Sequence, residues 1–451
     1  MNVRIDMSNT LLRLFVLSIF TVGKMACTDV GVQPKSSQTA STVFSEPGNY
    51  KNYLAKLYGG LVLTGQEGPF GADDIGVFGD EGKGGYSRLY WNLQTTPTDE
   101  VVNSWINDAA VNPFTFQNWD AENGLLDAMF ARIYFQTANA NKFLELTASL
   151  DGVGADLKEK IQTWRAEARF LRALSYWHGL DLYRNIPLVT KTGGGLPEQA
   201  PPQEVFEFIE SELKAITDGE GRENLLSAGQ APYGRADRGA AWTLLTKLYL
   251  NAEVYIDEPH YSEAATQAEK VIDSGAYSLA VDRPYGDLFR ADNHTHPGMI
   301  FPLPQDGENS QTFSNTTFLM HATSGGNMGL LQLRGITGAW LGYRGTPQLV
   351  NQFDGTLDSV EVACEDCESG TRDSTFYDTD GADTRAIFFT DGQQKEVKEI
   401  GNPGQTFQYG YGVIKYKNIT SDGQIGSNQT FPDTDFPMFR LGDVYLMYAE
   451  A

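Results

Sequence analysis

Histidine and cysteine are the chemically versatile residues this chain has least of. Five histidines stand in 451 residues (His178, His260, His294, His296 and His321), and three cysteines (Cys27, Cys364 and Cys367). No H-E-x-x-H pair is present, which removes the helical zinc site of metalloproteases. His294-Thr-His296 is a bare H-x-H before Pro297 with no evident third ligand, so it reads as a solvated loop rather than a metal site. Neither a G-x-S-x-G nucleophile elbow nor a phosphate-cradling P-loop occurs. Basic residues are outnumbered, 34 Lys and Arg against 58 Asp and Glu, for a formal net charge of −24. Such a surface repels phosphate backbones and sets nucleic acid aside as a partner, while saying little about neutral ligands. Long apolar runs are missing too: Leu14–Val22 is too short to cross a bilayer as a helix.

That short run has a different meaning. Arg4 and Arg13 precede it, and Gly23-Lys24-Met25-Ala26-Cys27 follows. A charged start, a brief apolar stretch and a small residue before a cleavage point describe a secretory signal. Ala26-Cys27 resembles a bacterial lipobox, in which the cysteine is acylated and becomes the mature N-terminus; Lys24 departs from that pattern. The expected organisation is a lipoprotein signal peptide over 1–26, lipidation at Cys27, a Ser/Thr/Gln/Pro-rich flexible tether over 27–48, and one large body over 49–451. An ordinary signal peptide or a misplaced start are the alternatives.

Within the body, Thr64–Gly85 is dense in Gly and Asp and reads as a long loop. Helical patterns follow. Few breakers interrupt Asn118–Leu146. In 160–184, Ala166, Phe170, Ala173, Trp177 and Leu180 fall on one helical face, and Pro187 ends the helix. In 237–255, Ala241, Leu244, Leu245 and Leu248 stand at i, i+3, i+4, i+7. A second helix over Tyr261–Ser274 faces Ala264, Ala268, Val271 and Ile272 one way and stops at Gly275. Together these two make an αα-hairpin of about 34 residues, the length of a tetratricopeptide unit. The pairs 120–147 with 160–184, and 201–217 leading into 237–255, extend the series. An irregular helical bundle is the bland alternative. From about 280 to 435 Gly, Asn, Thr and Asp rise and periodicity fades, leaving short strand-like runs such as Gly412–Tyr416. Helix returns with Leu441, Val444, Tyr445 and Tyr448 on one face, and the natural protein is expected to continue past Ala451. Trp164, Trp177 and Trp242 lie in helical pattern and read as core.

Cys364-Glu-Asp-Cys367 is a C-x-x-C in an exported chain. A small disulfide pinning an acidic loop, or two free thiols, fit better than a redox motif, because no strand precedes and no helix follows. Asp378-Thr-Asp-Gly-Ala-Asp383 offers carboxylates to a structural Ca²⁺, but it lacks the EF-hand order and reads as a polar turn. With 58 acidic residues, a glycosidase carboxylate pair cannot be singled out.

Several segments, in order along the chain, resemble the SusD/RagB family of outer-membrane nutrient-binding lipoproteins of the starch-utilisation type. These are Thr98-Asp99-Glu100; Tyr134-Phe135 with Ala138-Asn139-Ala140-Asn141; Ala166-Glu-Ala-Arg-Phe-Leu-Arg-Ala173 with Tyr176, Leu182-Tyr183 and Ile186-Pro-Leu-Val-Thr190; Asp383-Thr-Arg385; Gly412-Val-Ile-Lys415; and Phe436-Pro-Met-Phe-Arg-Leu-Gly-Asp-Val-Tyr-Leu-Met-Tyr-Ala-Glu-Ala451. The resemblance implies an all-α, tetratricopeptide-like scaffold (about 100–275 and 436–451) with a loop-rich ligand-binding part (about 280–435). It also implies a lipid anchor at the outer-membrane surface, no catalysis and no cofactor, and delivery of oligosaccharide to a SusC-like TonB-dependent barrel transporter. Peptide binding within the family, a helical glycoside hydrolase and a scaffold that binds nothing remain the rival readings.

Sugar recognition needs flat apolar faces for the C–H side of pyranose rings, with amides, carboxylates or guanidinium groups for the hydroxyls. Two exposed-looking stretches hold that mixture: Arg88, Tyr90, Trp91 and Asn92 in one, and Trp340, Tyr343 and Arg344 in the other. These seven residues are the expected ligand-binding set, with ordinary packing as the alternative for each aromatic.

Overall fold

Two of the central helices begin on a side chain that satisfies the first turn. The computed structural model describes residues 47–79, 82–219, 221–325, 328–353, 356–363, 371–378 and 383–451. The expected signal, Cys27 and nearly all of the tether therefore lie outside the described residues. So do Cys364, Cys367 and 379–382 of the acidic turn.

The longer helices are α1 (Pro47–Val62), α2 (Tyr86–Thr95), α3 (Gly124–Leu146), α4 (Ala155–Tyr183), α5 (Pro202–Ala215), α6 (Arg238–Leu250), α7 (Tyr261–Asp273), α8 (Asn315–Ala322) and α9 (Leu441–Glu450). Helix α3 starts where the Asn123 side chain accepts from the Leu125 amide at 2.9 Å, relieving one of the orphan donors of a first turn. Asp237 does the same for α6 through the Ala240 amide at 3.0 Å. Helix α4 ends at Arg184, which takes a left-handed φ of 60° one turn ahead of Pro187. Helix α7 is followed by Gly275 at φ 63°, a geometry glycine adopts without steric cost.

Consecutive helices pack in antiparallel pairs: α3 on α4, α4 on α5, and α6 on α7, with α9 closing on α7. From Tyr50 onward this is one compact unit. The tetratricopeptide-like helical scaffold expected from the sequence is the fold observed. The one-sided pattern on α4 is not what the structure shows. Every residue of 166–180 except Arg169 is buried, because α4 is the central helix and is covered all round. Its two buried charged side chains find partners inside the protein. Glu167 accepts from Tyr58 (2.6 Å) and from Arg235 Nε (2.9 Å), and Arg172 donates to Asn141 (2.7 Å) and Glu212 (2.5 Å). Each fully buried apolar side chain here, such as Phe170 or Leu174 at 0% exposure, contributes about 1.5–3 kcal/mol. Trp164 and Trp177 are in this core, whereas Trp242 is half-buried.

The part after α7 is loop-rich but holds more sheet than the sequence pattern suggested. Strand Met299–Leu303 pairs antiparallel with Phe436–Arg440, which leads straight into α9. Val101–Asn103 pairs with Tyr343–Gly345. A four-stranded antiparallel sheet runs in the order Thr356–Ala363, Thr371–Asp378, Phe388–Phe389, Gly412–Val413. The strand-like run at 412–416 is thus a strand over its first two residues only. Among the described residues, no helix is long and apolar enough to cross a membrane.

Candidate functional site

The loop after α1 is held at both ends by one buried cation. Arg132 projects from α3, is 0% exposed, and donates through Nη2 to the carbonyl of Thr64 and through Nε to that of Gly84. Burial pulls its pKa down to about 10, against the opposing pull of Asp74 and Asp73. The loop returns over residues 312–314. Thr64 and Thr312 hydroxyls meet at 3.4 Å, and Gly82 lies so close to Phe313 that a Cβ would collide with its backbone and side chain.

This packing sets three aromatic rings in a row. Phe70, 74% exposed, meets Phe313 edge-on with centroids 5.2 Å apart. Phe313 continues to Trp340 at 6.2 Å and rests on buried Phe431 at 5.1 Å. Trp340 is half-buried and stacks on His321, centroids 5.1 Å apart and planes at 26°.

The backbone that carries Trp340 is pinned to the end of α8. The amides of Trp340, Leu341 and Gly342 donate to the carbonyls of His321 (2.8 Å), Ser324 (2.9 Å) and Ala322 (2.8 Å), and Leu341 is held at φ 50°. The Trp105 indole N–H donates to the Trp340 carbonyl at 3.0 Å. His321 Nε2–H faces the Thr430 carbonyl at 2.9 Å; burial lowers the imidazole pKa to about 4, so the ring is neutral near pH 7. A rigid indole partly open to solvent, continued by two phenylalanines, is a preformed stacking surface. Gln66 and Glu67 lie exposed in the same loop as Phe70.

Of the seven residues expected to bind ligand, the structure brings Trp340 to this surface. Arg88, Asn92, Tyr343 and Arg344 are buried, at 6%, 1%, 0% and 0% exposure. Residues 86–95 are not an exposed stretch but helix α2, packed against α3 and α8. There the polar groups find partners inside the protein. Tyr343 donates to Asn92 Oδ1 at 2.5 Å. The Arg88 guanidinium lies 4.5 Å from the Phe318 ring centre. Arg344 donates to the Tyr409 carbonyl at 2.6 Å and to the Ser104 hydroxyl. Trp91 is half-buried, edge-on to Phe318 and Tyr343 at 5.5 and 4.9 Å. Tyr90 is half-buried against His178, ring centres 4.4 Å apart. Sequence reasoning missed Phe70 and Phe313; a phenylalanine amid Gly and Asp was the available signal for the first. The two histidines of the H-x-H differ. His294 is exposed, while His296 is buried and accepts from the Gly298 amide at 3.0 Å.

Fold and site define the class first: a tetratricopeptide-like scaffold bearing a loop-built aromatic face. Comparison with known proteins then gives the family. A family model described as "Starch-binding associating with outer membrane" matches residues 81–250, and the SusD family model matches 297–451. The chain is 30% identical over 461 residues to the starch-binding protein SusD of Bacteroides thetaiotaomicron, across 97% of this chain and 79% of that protein. It is 26% identical to a SusD-like protein of Bacteroides ovatus over 63% of this chain and 48% of that one. In fold it is similar to a SusD superfamily protein from Parabacteroides distasonis, with a TM-score of 0.61 at 17% identity, covering 92% of this chain and 76% of the other. The chain belongs to the SusD family.

Proposed function

We propose that this protein is a non-catalytic glycan-binding lipoprotein of the outer-membrane surface, which captures oligosaccharide and passes it to a TonB-dependent barrel transporter. The observation that carries the reading is the Phe70–Phe313–Trp340 row, with Trp340 fixed by three main-chain hydrogen bonds and a histidine beneath it. Sugar rings present C–H faces to such a surface, and their hydroxyls are left to polar side chains and water at its rim. Membership of a family whose model is described as starch-binding and outer-membrane-associated supports the same reading, and so does a relative named as a starch-binding protein. The Ala26-Cys27 motif supports the lipid anchor.

Affinity electrophoresis of the full chain in mild detergent, through gels containing starch, laminarin, xylan, mannan or gelatin, tests it. Retardation by a polysaccharide is expected, falling at least about tenfold in affinity (~1.4 kcal/mol) in Trp340→Ala. Retardation by gelatin alone would replace this reading with peptide capture, and retardation by none of the gels would overturn it.

A further inference from the structure

We propose a second glycan-contact site, in the cleft that opens around Trp119. The inference rests on the glycan reading above and adds to it a separate surface for the same polymer. The short helix Asn112–Thr115 is followed by Gln117, a non-glycine residue at φ 51°. Its side-chain amide donates to the Pro97 carbonyl at 2.8 Å, holding a backbone conformation that costs about 1–3 kcal/mol and persists only where its surroundings enforce it. The kink places Asn118 and Trp119 on the surface. The Trp119 indole stacks on buried Phe114, centroids 4.9 Å apart and planes at 18°. With one face so covered, its 42% exposure belongs to the other face and the ring edge.

That open face looks onto a cleft of about 440 Å³, lined by Pro113, Asn118, Trp119, Asp120, Glu122 and Asn123 among others. The volume is in the range of small-ligand sites. The floor is rigid: the Asn123 amide donates to the Ala110 carbonyl at 2.9 Å, its oxygen caps α3, and Asp120 accepts from the Glu122 amide at 3.0 Å. Among the described residues no lysine or arginine lines the cleft, so phosphates and other anions find no counter-charge in that lining. A planar indole beside amides and carboxylates is the chemistry that takes a neutral, hydroxyl-bearing ring.

The two surfaces share one turn. Trp105 donates to the Trp340 carbonyl on one side. Asp108, whose amide donates to Trp105 O at 2.9 Å, accepts from Ala110 on the other side, where Ala109 and Ala110 edge the cleft. A polysaccharide lying across that turn touches both aromatic surfaces, so binding at the second becomes intramolecular, while a short oligosaccharide occupies the Trp340 surface alone.

The test is titration calorimetry of the full chain with the polysaccharides of the gel panel and with the trisaccharide of each. Trp119→Ala is expected to lose about tenfold in affinity for the retained polymer and nothing for its trisaccharide. Trp340→Ala loses both, and Trp119→Phe retains most of the polymer affinity. Asn118→Ala with Glu122→Ala, both on the exposed rim, loses severalfold for polymer only, independently of any effect on packing over Phe114. Polymer affinity unchanged in Trp119→Ala overturns the second site and leaves the first standing. An equal loss for polymer and trisaccharide in Trp119→Ala, with an unchanged melting temperature, also overturns it, because Trp119 would then belong to the first site. If the unaltered chain binds no polymer of the panel, both readings fall.

Discussion

The imidazole of His321 lies beneath the indole of Trp340, 5.1 Å away and 26° from parallel, and it lies there uncharged. Burial lowers its pKa to about 4, and that of His178 on α4 to about 3, from 6.5. In both, the unfolded chain takes up a proton that the folded protein refuses. Stability from this source is therefore complete above pH 6.5 and is lost as pH falls from there toward 4. Thermal melts at pH 7.5 and 4.5 should show the fall, and His321→Gln, which keeps a donor for the Thr430 carbonyl, should make it shallower. Glycan affinity should stay level between pH 8 and 5.5, since the ring under Trp340 does not change charge there. An affinity that follows a midpoint near 6.5 would show that His321 titrates as an exposed group.

Arg132 joins the two ends of the 64–85 loop, and what it does for the loop differs from what it does for the fold. Arg132→Met leaves the Gly84 carbonyl without its side-chain donor and the Thr64 carbonyl with the Asp74 amide at 3.0 Å; the first costs about 1–3 kcal/mol and the second less, offset in part by removing a buried charge. The expected net loss in urea unfolding is about 1–3 kcal/mol. Limited proteolysis should show new cleavage within 64–85, and glycan affinity should fall because Phe70 is no longer held against Phe313. Unchanged cleavage would mean that the packing of Gly82 and Gly85 on 313–314 fixes the loop without the clamp.

The helical scaffold was legible because its causes are local. The spacing of Leu244, Leu245 and Leu248 and the stop at Gly275 are read within a few residues. The aromatic row was only partly legible. Trp340 stood out beside a Gly-rich run, but Phe70 and Phe313 meet across 243 positions (313 minus 70), and no local pattern records such a meeting. The same limit misdirected the reading of Arg88, Asn92, Tyr343 and Arg344. Polar and aromatic residues side by side suggest a binding surface, and the partners that satisfy them in the interior, Phe318, Ser104 and Tyr409 among them, lie far off in the chain. On α4 the helix was evident, but not that it would be covered on every side.

Tyr343 and Asn92, 251 residues apart and hydrogen-bonded at 2.5 Å, separate the two roles experimentally. Tyr343→Phe keeps the ring between Trp91 and Trp105 and removes the hydroxyl, leaving a buried amide oxygen with one donor fewer. The cost should be about 1–2 kcal/mol in urea unfolding, with polysaccharide retardation unchanged. Trp340→Ala should show the reverse pattern, a large loss of retardation with little loss of stability. Lost retardation at unaltered stability in Tyr343→Phe would place that hydroxyl in contact with ligand.

Glu212 on α5 is the acid that two arginines of α4 share: Arg169 at 2.8 Å and Arg172 at 2.5 Å. Burial works to raise its pKa, but the hydrogen bond from Arg169 and the charges of both guanidinium groups outweigh it, and the net shift is downward. Its contribution to stability is accordingly present above the ordinary glutamate range and is lost as pH falls below it. Glu212→Gln leaves two partly buried cations facing a neutral group, Arg172 with Asn141 and the Phe208 ring, and Arg169 with Glu223 at 3.4 Å. Breaking a buried pair from one side costs about 3–5 kcal/mol, so α5 should detach early, visible as accelerated amide exchange over 202–215 ahead of global unfolding. Arg172→Met with Glu212→Leu removes one of the two pairs whole and leaves Arg169 to Glu223, so it should recover part of the loss. If the single substitution costs under about 1 kcal/mol, the pair is solvent-screened like a surface bridge, and α5 is held by Phe206, Ile209 and Leu213 alone.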